Sequence, residues 1–170
     1  MVRKTKKKIS ALVLTLIVVV LSVFPEVRDV LALESGCPWY IRLGYPLAHA
    51  NIFHALANCW CLLSLFFNYE LSWKKLMVSY IIAVSVPSVL LAGSKVVGAS
   101  GLCFALMGMV AFRVNRKLYF QCWVIAFLVS GFLFSMVAVW VHVYCYLAGM
   151  VVGLFITPLN LIRGTSHGRC

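Results

Sequence analysis

Residues 47–67 read LAHANIFHALANCWCLLSLFF, twenty-one positions without a Lys, Arg, Asp or Glu. A helix rises about 1.5 Å per residue, so a run of this length covers the roughly 30 Å of hydrocarbon in a bilayer. Five further apolar runs flank it, at 9–24, 76–92, 99–112, 118–133 and 137–162. No charge separates the last two, so their boundary near 134–140 is set by length alone. Backbone groups cannot stay unpaired in lipid, and the runs lack the alternation of a barrel. The pattern predicts an all-α fold, a polytopic membrane bundle of six transmembrane helices.

Composition agrees. Of 170 residues, 64% are hydrophobic and 11% charged, which excludes an ordinary soluble domain, about half apolar and a quarter charged. Fifteen Lys or Arg against four acids give a formal charge of +11. Such a balance can mark a nucleic-acid binder, but here the cations sit in short clusters between apolar runs, so the bilayer is the expected partner and nucleic acid is not. With the N-terminus inside, twelve cations fall on inner segments (Arg3, Lys4, Lys6, Lys7, Lys8, Lys74, Lys75, Arg113, Arg116, Lys117, Arg163, Arg169) and three on outer ones (Arg28, Arg42, Lys95). Both termini are therefore expected inside. The domain reading is a basic stretch over 1–8, a membrane domain over 9–162 and a tail over 163–170. A basic stretch before an apolar run also describes a signal peptide. No small-x-small site follows, and Pro25 is expected to end the first helix, so a retained anchor is expected.

Polar side chains inside spans are expensive and point to function. The second run holds His49, His54 and Asn58, the fourth opens with Gly98-Ala99-Ser100-Gly101, and the sixth carries His142 near its start. His54 and Asn58 are four apart and share a helix face. Given the orientation, the second, fourth and sixth helices all run from outside to inside, so these groups meet at one depth near the outer surface. Below His142, Cys145, Gly149 and Gly153 form a stripe of small residues, and Gly101, Ala105 and Gly108 form another beside Ser100 and Phe104. Two such stripes pack backbone to backbone and bring Ser100 to His142.

A serine hydroxyl becomes a nucleophile when a base takes its proton, and an imidazole at about 3 Å is the usual base. Ser100 opens a helix, where amide groups lack partners, and His54 and Asn58 add side-chain donors for an oxyanion. The four acids, Glu26, Asp29, Glu34 and Glu70, lie outside the apolar runs. The expected site is thus a Ser-His dyad without a third member. Leu102 breaks the Gly-x-Ser-x-Gly elbow of soluble hydrolases.

Three histidines also suggest zinc or haem, but there is no His-Glu-x-x-His and no acid within the bundle, so no metal and no cofactor are expected. A transporter or channel would call for charges along a pathway. The seven cysteines lie mostly in apolar runs and are expected as small hydrophobes, not disulfides. Ser22, Ser64, Ser79, Ser85 and Ser130 are expected to bond back to their own helices. Phe104, four residues after Ser100, is read as packing, with a possible role under the His142 ring.

The combination of His49, His54 and Asn58, of Gly98, Ser100, Gly101 and Ala105 to Gly108, and of His142 above Gly149 and Gly153 resembles the rhomboid intramembrane serine proteases. The similarity spans the second to sixth runs and is closest to the minimal six-helix bacterial form. It implies Ser100 as nucleophile and His142 as general base. It also implies an oxyanion hole of His54, Asn58 and the Ser100 backbone, with His49 in support. Trp39, Tyr40 and Arg42 resemble the elements that brace the first loop in relatives, at shifted spacing. Cys145 stands where many relatives have glycine, and Val141 where alanine is usual. By this resemblance the protein is a multi-pass enzyme of the bacterial inner membrane, its site toward the outer face, cleaving transmembrane protein substrates. A catalytically silent relative that binds transmembrane clients is the alternative.

Overall fold

Asn51 fixes where the second apolar run turns helical. The computed structural model describes residues 2–69, 71–91, 93–132 and 138–156. In it the Asn51 backbone is extended, and its Oδ1 accepts a hydrogen bond from the His54 amide at 2.9 Å. That satisfies one orphan donor of the first turn. The helix is Ile52–Asn68, so His49 lies on the turn before it instead of on the helix, as the run from 47 had suggested.

Among the described residues eight α-helices follow in order: α1 Val2–Leu21, α2 Pro25–Leu31, α3 Trp39–Gly44, α4 Ile52–Asn68, α5 Trp73–Val84, α6 Ser100–Val110, α7 Lys117–Gly131 and α8 Val139–Ile156. Short 3₁₀ turns lie at Tyr45–Leu47 and Ser88–Leu90. There is no strand among the described residues, only an isolated bridge between Leu33 and Val96. The fold is all-α, as expected. Among the described residues α8 alone is long and apolar enough to cross a membrane, and Trp39–Leu47 with α4 qualifies only as a pair bent by 83°.

Several boundaries moved for identifiable reasons. Pro25 does not end α1, which stops at Leu21; it occupies the first turn of α2, where its fixed φ and missing N–H suit the position. The third run, expected to reach 92, ends as a helix at Val84 because Pro87 cannot continue it. Ser72 caps α5, its Oγ accepting from the Lys75 amide at 3.3 Å. The boundary expected at 134–140 lies partly outside the described residues, as do 157–162 at the end of the sixth run and the tail at 163–170.

α6 is the centre of the bundle. Nine of its eleven residues are buried, so this helix presents no outer face. Its neighbours are α8, α5 and α4, while α1 packs on α4 through Thr15 and Val18. Only Val124 and Gly131 of α7 are buried. The outward surface is apolar: Phe53 and Trp60 on α4, Trp123 and Phe127 on α7, and Leu147 and Phe155 on α8 are all exposed. An exterior of this kind suits hydrocarbon better than water.

Small residues let α6 and α8 touch backbone to backbone. A Cβ at Gly108 would lie 2.2 Å from the Tyr146 carbonyl oxygen, and one at Gly149 would lie 2.2 Å from that of Ala105. Ser22, Ser85 and Ser130 donate to the carbonyls of Val19, Ile82 and Phe127 on their own helices, while Ser79 Oγ instead approaches Met109 Sδ at 3.4 Å. The six described cysteines are all free.

Candidate active site

The site begins with two loops tied together. Leu33 and Val96 exchange backbone hydrogen bonds at 2.9 Å, and the Gly98 amide donates to the Tyr45 carbonyl at 3.1 Å. Tyr45 is itself buried, its hydroxyl donating to the Ala83 carbonyl at 2.7 Å. Arg42 adds a further brace, donating to the Val86 carbonyl and to Ser88 Oγ, both at 2.7 Å. The segment leading to Ser100 is therefore fixed from the first loop and from the end of α5 together.

His49 completes that fixation. Its Nε2 accepts from the Ala99 amide at 3.2 Å and its Nδ1 lies 3.3 Å from the Leu47 carbonyl. One tautomer serves both contacts, with the proton on Nδ1. The ring is buried and meets His54 edge-on, with centroids 5.2 Å apart. His49 thus holds the residue before Ser100 and braces the next histidine.

Gly98 is glycine for two reasons. Its φ is +117°, and a Cβ would stand 2.7 Å from His54 Cε1 and 3.3 Å from Asn58 Nδ2. The backbone approaches α4 this closely only because no side chain intervenes. His54 and Asn58 accordingly converge from one face of α4 on the turn that delivers Ser100.

Ser100 Oγ lies 2.7 Å from His142 Nε2, a hydrogen bond between the first turn of α6 and the first turn of α8. The His142 ring stacks on Phe104, centroids 4.6 Å apart and planes 19° from parallel. The aromatic face fixes the orientation of the imidazole ring. Glu34, an acid of the first loop, faces Lys95 on the surface at 3.9 Å.

Donors lie on the first turn of α6 and on the α4 face against Gly98. Asn58 Nδ2 is buried and has no hydrogen-bond partner among the described residues. The first amide of α6 with an intrahelical acceptor is that of Cys103, donating to Ala99 at 3.0 Å, which leaves the amides of Ser100 to Leu102 outside the helix ladder. The departures at 141 and 145 are accommodated: Cys145 Sγ sits 3.3 Å from where a Gly101 Cβ would be, and Val141 is buried. No group of three metal-ligating side chains occurs among the described residues.

The structure brings together Ser100, His142, Phe104, His54, Asn58, His49, Gly98 and Gly101. Gly149 lies lower on α8, at its contact with α6. Sequence reading missed Tyr45 and Asn51, because a lone tyrosine and a capping asparagine carry no spacing signal.

A family model described as the Rhomboid domain matches residues 37–162, which include α3 to α8. No curated protein and no solved structure matches the chain.

Proposed function

The chain belongs to the rhomboid family of membrane helix bundles, and on that premise we propose that it is an intramembrane serine endopeptidase working by a Ser-His dyad. Relatives in this family are generally serine proteases that act on membrane proteins in the bilayer. The observation that carries the proposal is the 2.7 Å bond from Ser100 Oγ to His142 Nε2 beside the unpartnered Asn58 Nδ2.

In this mechanism Ser100 Oγ attacks a peptide carbonyl carbon while its proton passes to His142 Nε2. The carbonyl oxygen becomes an oxyanion and accepts hydrogen bonds from Asn58 Nδ2, His54 and the Ser100 amide. The imidazolium returns the proton to the leaving amine as the acyl-enzyme forms. Water, its proton taken by the same nitrogen, releases the acyl group and restores Ser100. A substrate helix hides its carbonyls in hydrogen bonds, so local unwinding precedes attack, and segments with small residues are the expected targets.

The proposed topology has six spans, α1, α4, α5, α6, α7 and α8, within a membrane domain over 9–162 that is flanked by the basic 1–8 and the tail at 163–170. Both termini lie inside, following the charge asymmetry, and the site opens to the outer face of a bacterial inner membrane. Water then reaches Ser100 from the side on which α4, α6 and α8 begin.

The test is reconstitution with a transmembrane reporter. Wild type is expected to cleave it, and Ser100→Ala and His142→Ala to leave it intact. Equal cleavage by both variants would remove the dyad, and no cleavage by wild type of any transmembrane reporter would favour a silent client-binding protein.

A further inference from the structure

At the opposite end of the bundle from Ser100, the end of α4, the turn after α6 and the start of α7 border an open pocket of about 500 Å³. Asn68 and Tyr69 line it from the end of α4, Asn115 and Arg116 from the α6–α7 turn, and Tyr119 and Trp123 from α7. The proteolytic mechanism uses none of them. This end is also the cationic one: Lys74, Lys75, Arg113, Arg116 and Lys117 cluster here in sequence, and the neighbouring acid Glu70 lies outside the described residues.

The cations divide by role. Arg113 Nη2 donates to the Ile156 carbonyl at 2.6 Å, at the C-terminal end of α8, so it serves the fold. Arg116 is exposed, lines the pocket and forms no ion pair among the described residues. Beside it the exposed Asn115 amide offers a neutral donor, while Asn68 Nδ2 is committed to the Ser64 carbonyl at 2.9 Å. Tyr119 and Trp123, both exposed, meet edge-on at 6.2 Å. Amphipathic rings of this kind sit at headgroup depth in a bilayer. Deeper along α7 the exposed Phe127 meets the Trp123 ring at 6.0 Å and continues an apolar flank.

We propose that this pocket binds the headgroup of an anionic phospholipid, with Arg116 on the phosphodiester and the acyl chains along α7. A guanidinium matches two phosphate oxygens at once, and the exposed Arg116 charge favours a headgroup with no compensating ammonium. The apolar flank distinguishes a lipid from free phosphate, because only a lipid gains contact there. The inference needs the bundle to lie in a membrane but not Ser100 to be a nucleophile.

The experiment uses the full chain carrying Ser100→Ala in neutral detergent, with lipid retention read by native mass spectrometry and melting followed in parallel. Phosphatidylglycerol is expected to be retained and to raise the melting temperature, and phosphatidylcholine to do neither. Arg116→Gln should weaken phosphatidylglycerol retention about fivefold, the worth of one interfacial cation, while Lys95→Gln at the other end leaves it unchanged. Equal retention of the two lipids, unchanged retention in Arg116→Gln, or full displacement by inorganic phosphate would each overturn the assignment. Because the readout is binding by a chain without Ser100, its failure leaves the protease reading standing.

Discussion

Replacing Gly149 by alanine adds one methyl group at the point where α6 and α8 are closest. The new Cβ would stand 2.2 Å from the Ala105 carbonyl oxygen, 2.9 Å from its carbon and 3.0 Å from its Cα. These are helix backbone atoms that cannot swing aside, so α8 must retreat by about 1 Å to recover ordinary contact. Gly149 lies seven residues after His142 and Ala105 five after Ser100, placing the wedge within about 10 Å of the reacting pair at 1.5 Å per residue. A Ser100–His142 separation of 2.7 Å then opens beyond hydrogen-bond reach. Overpacking of this kind costs about 1–3 kcal/mol, and a misplacement of about 1 Å can cost a hundredfold in rate. Reporter cleavage should therefore fall about a hundredfold, with a melting temperature lower by several degrees. Gly153→Ala is the internal comparison, since its nearest contact would be 3.0 Å and its effect should be smaller. Wild-type turnover in Gly149→Ala, or a larger loss in Gly153→Ala, would refute the argument that backbone contact sets the dyad distance.

Asn58→Ala should lower turnover about a hundred- to a thousandfold yet leave melting unchanged or higher, because an unpaired buried donor costs about 1–3 kcal/mol; a lower melting temperature would mark Asn58 as structural. Gly98→Ala should abolish cleavage, since it strains a φ of +117° and drives a methyl group into His54, and protease assay with circular dichroism will separate this from unfolding. His49→Ala removes the acceptor for the Ala99 amide, so both turnover and melting should fall, with melting lowered by about 1–3 kcal/mol equivalent. Arg42→Ala loses two hydrogen bonds to the segment that follows α5 and should destabilise by about 1.5–3 kcal/mol, read by thermal unfolding in detergent.

The groups now found around Ser100 were legible because membrane chemistry makes them rare. An imidazole or a carboxamide in an apolar run stands out against its neighbours, and helical spacing then puts His54 and Asn58 on one face. The small stripes through Gly108 and Gly149 were legible for the same reason, since close packing needs residues without bulk. Helix ends were less so. Asn51 starts α4 five residues late through one local hydrogen bond, and Pro25 begins a helix where it was expected to end one. The first loop was the least legible part. Arg42 was marked as a brace by resemblance, but its partners at Val86 and Ser88 were not, and Tyr45 and the Leu33–Val96 bridge act across 38 and 63 residues of chain through backbone groups that leave no trace in side-chain pattern.

The central claim is that Ser100 is a nucleophile activated by His142. Its most direct measurement is covalent labelling of the purified chain with a serine-directed phosphonate, followed by peptide mass mapping. The account predicts one adduct, on Ser100, lost in Ser100→Ala and formed far more slowly in His142→Ala. An adduct on another residue, or equal labelling of wild type and Ser100→Ala, would contradict it.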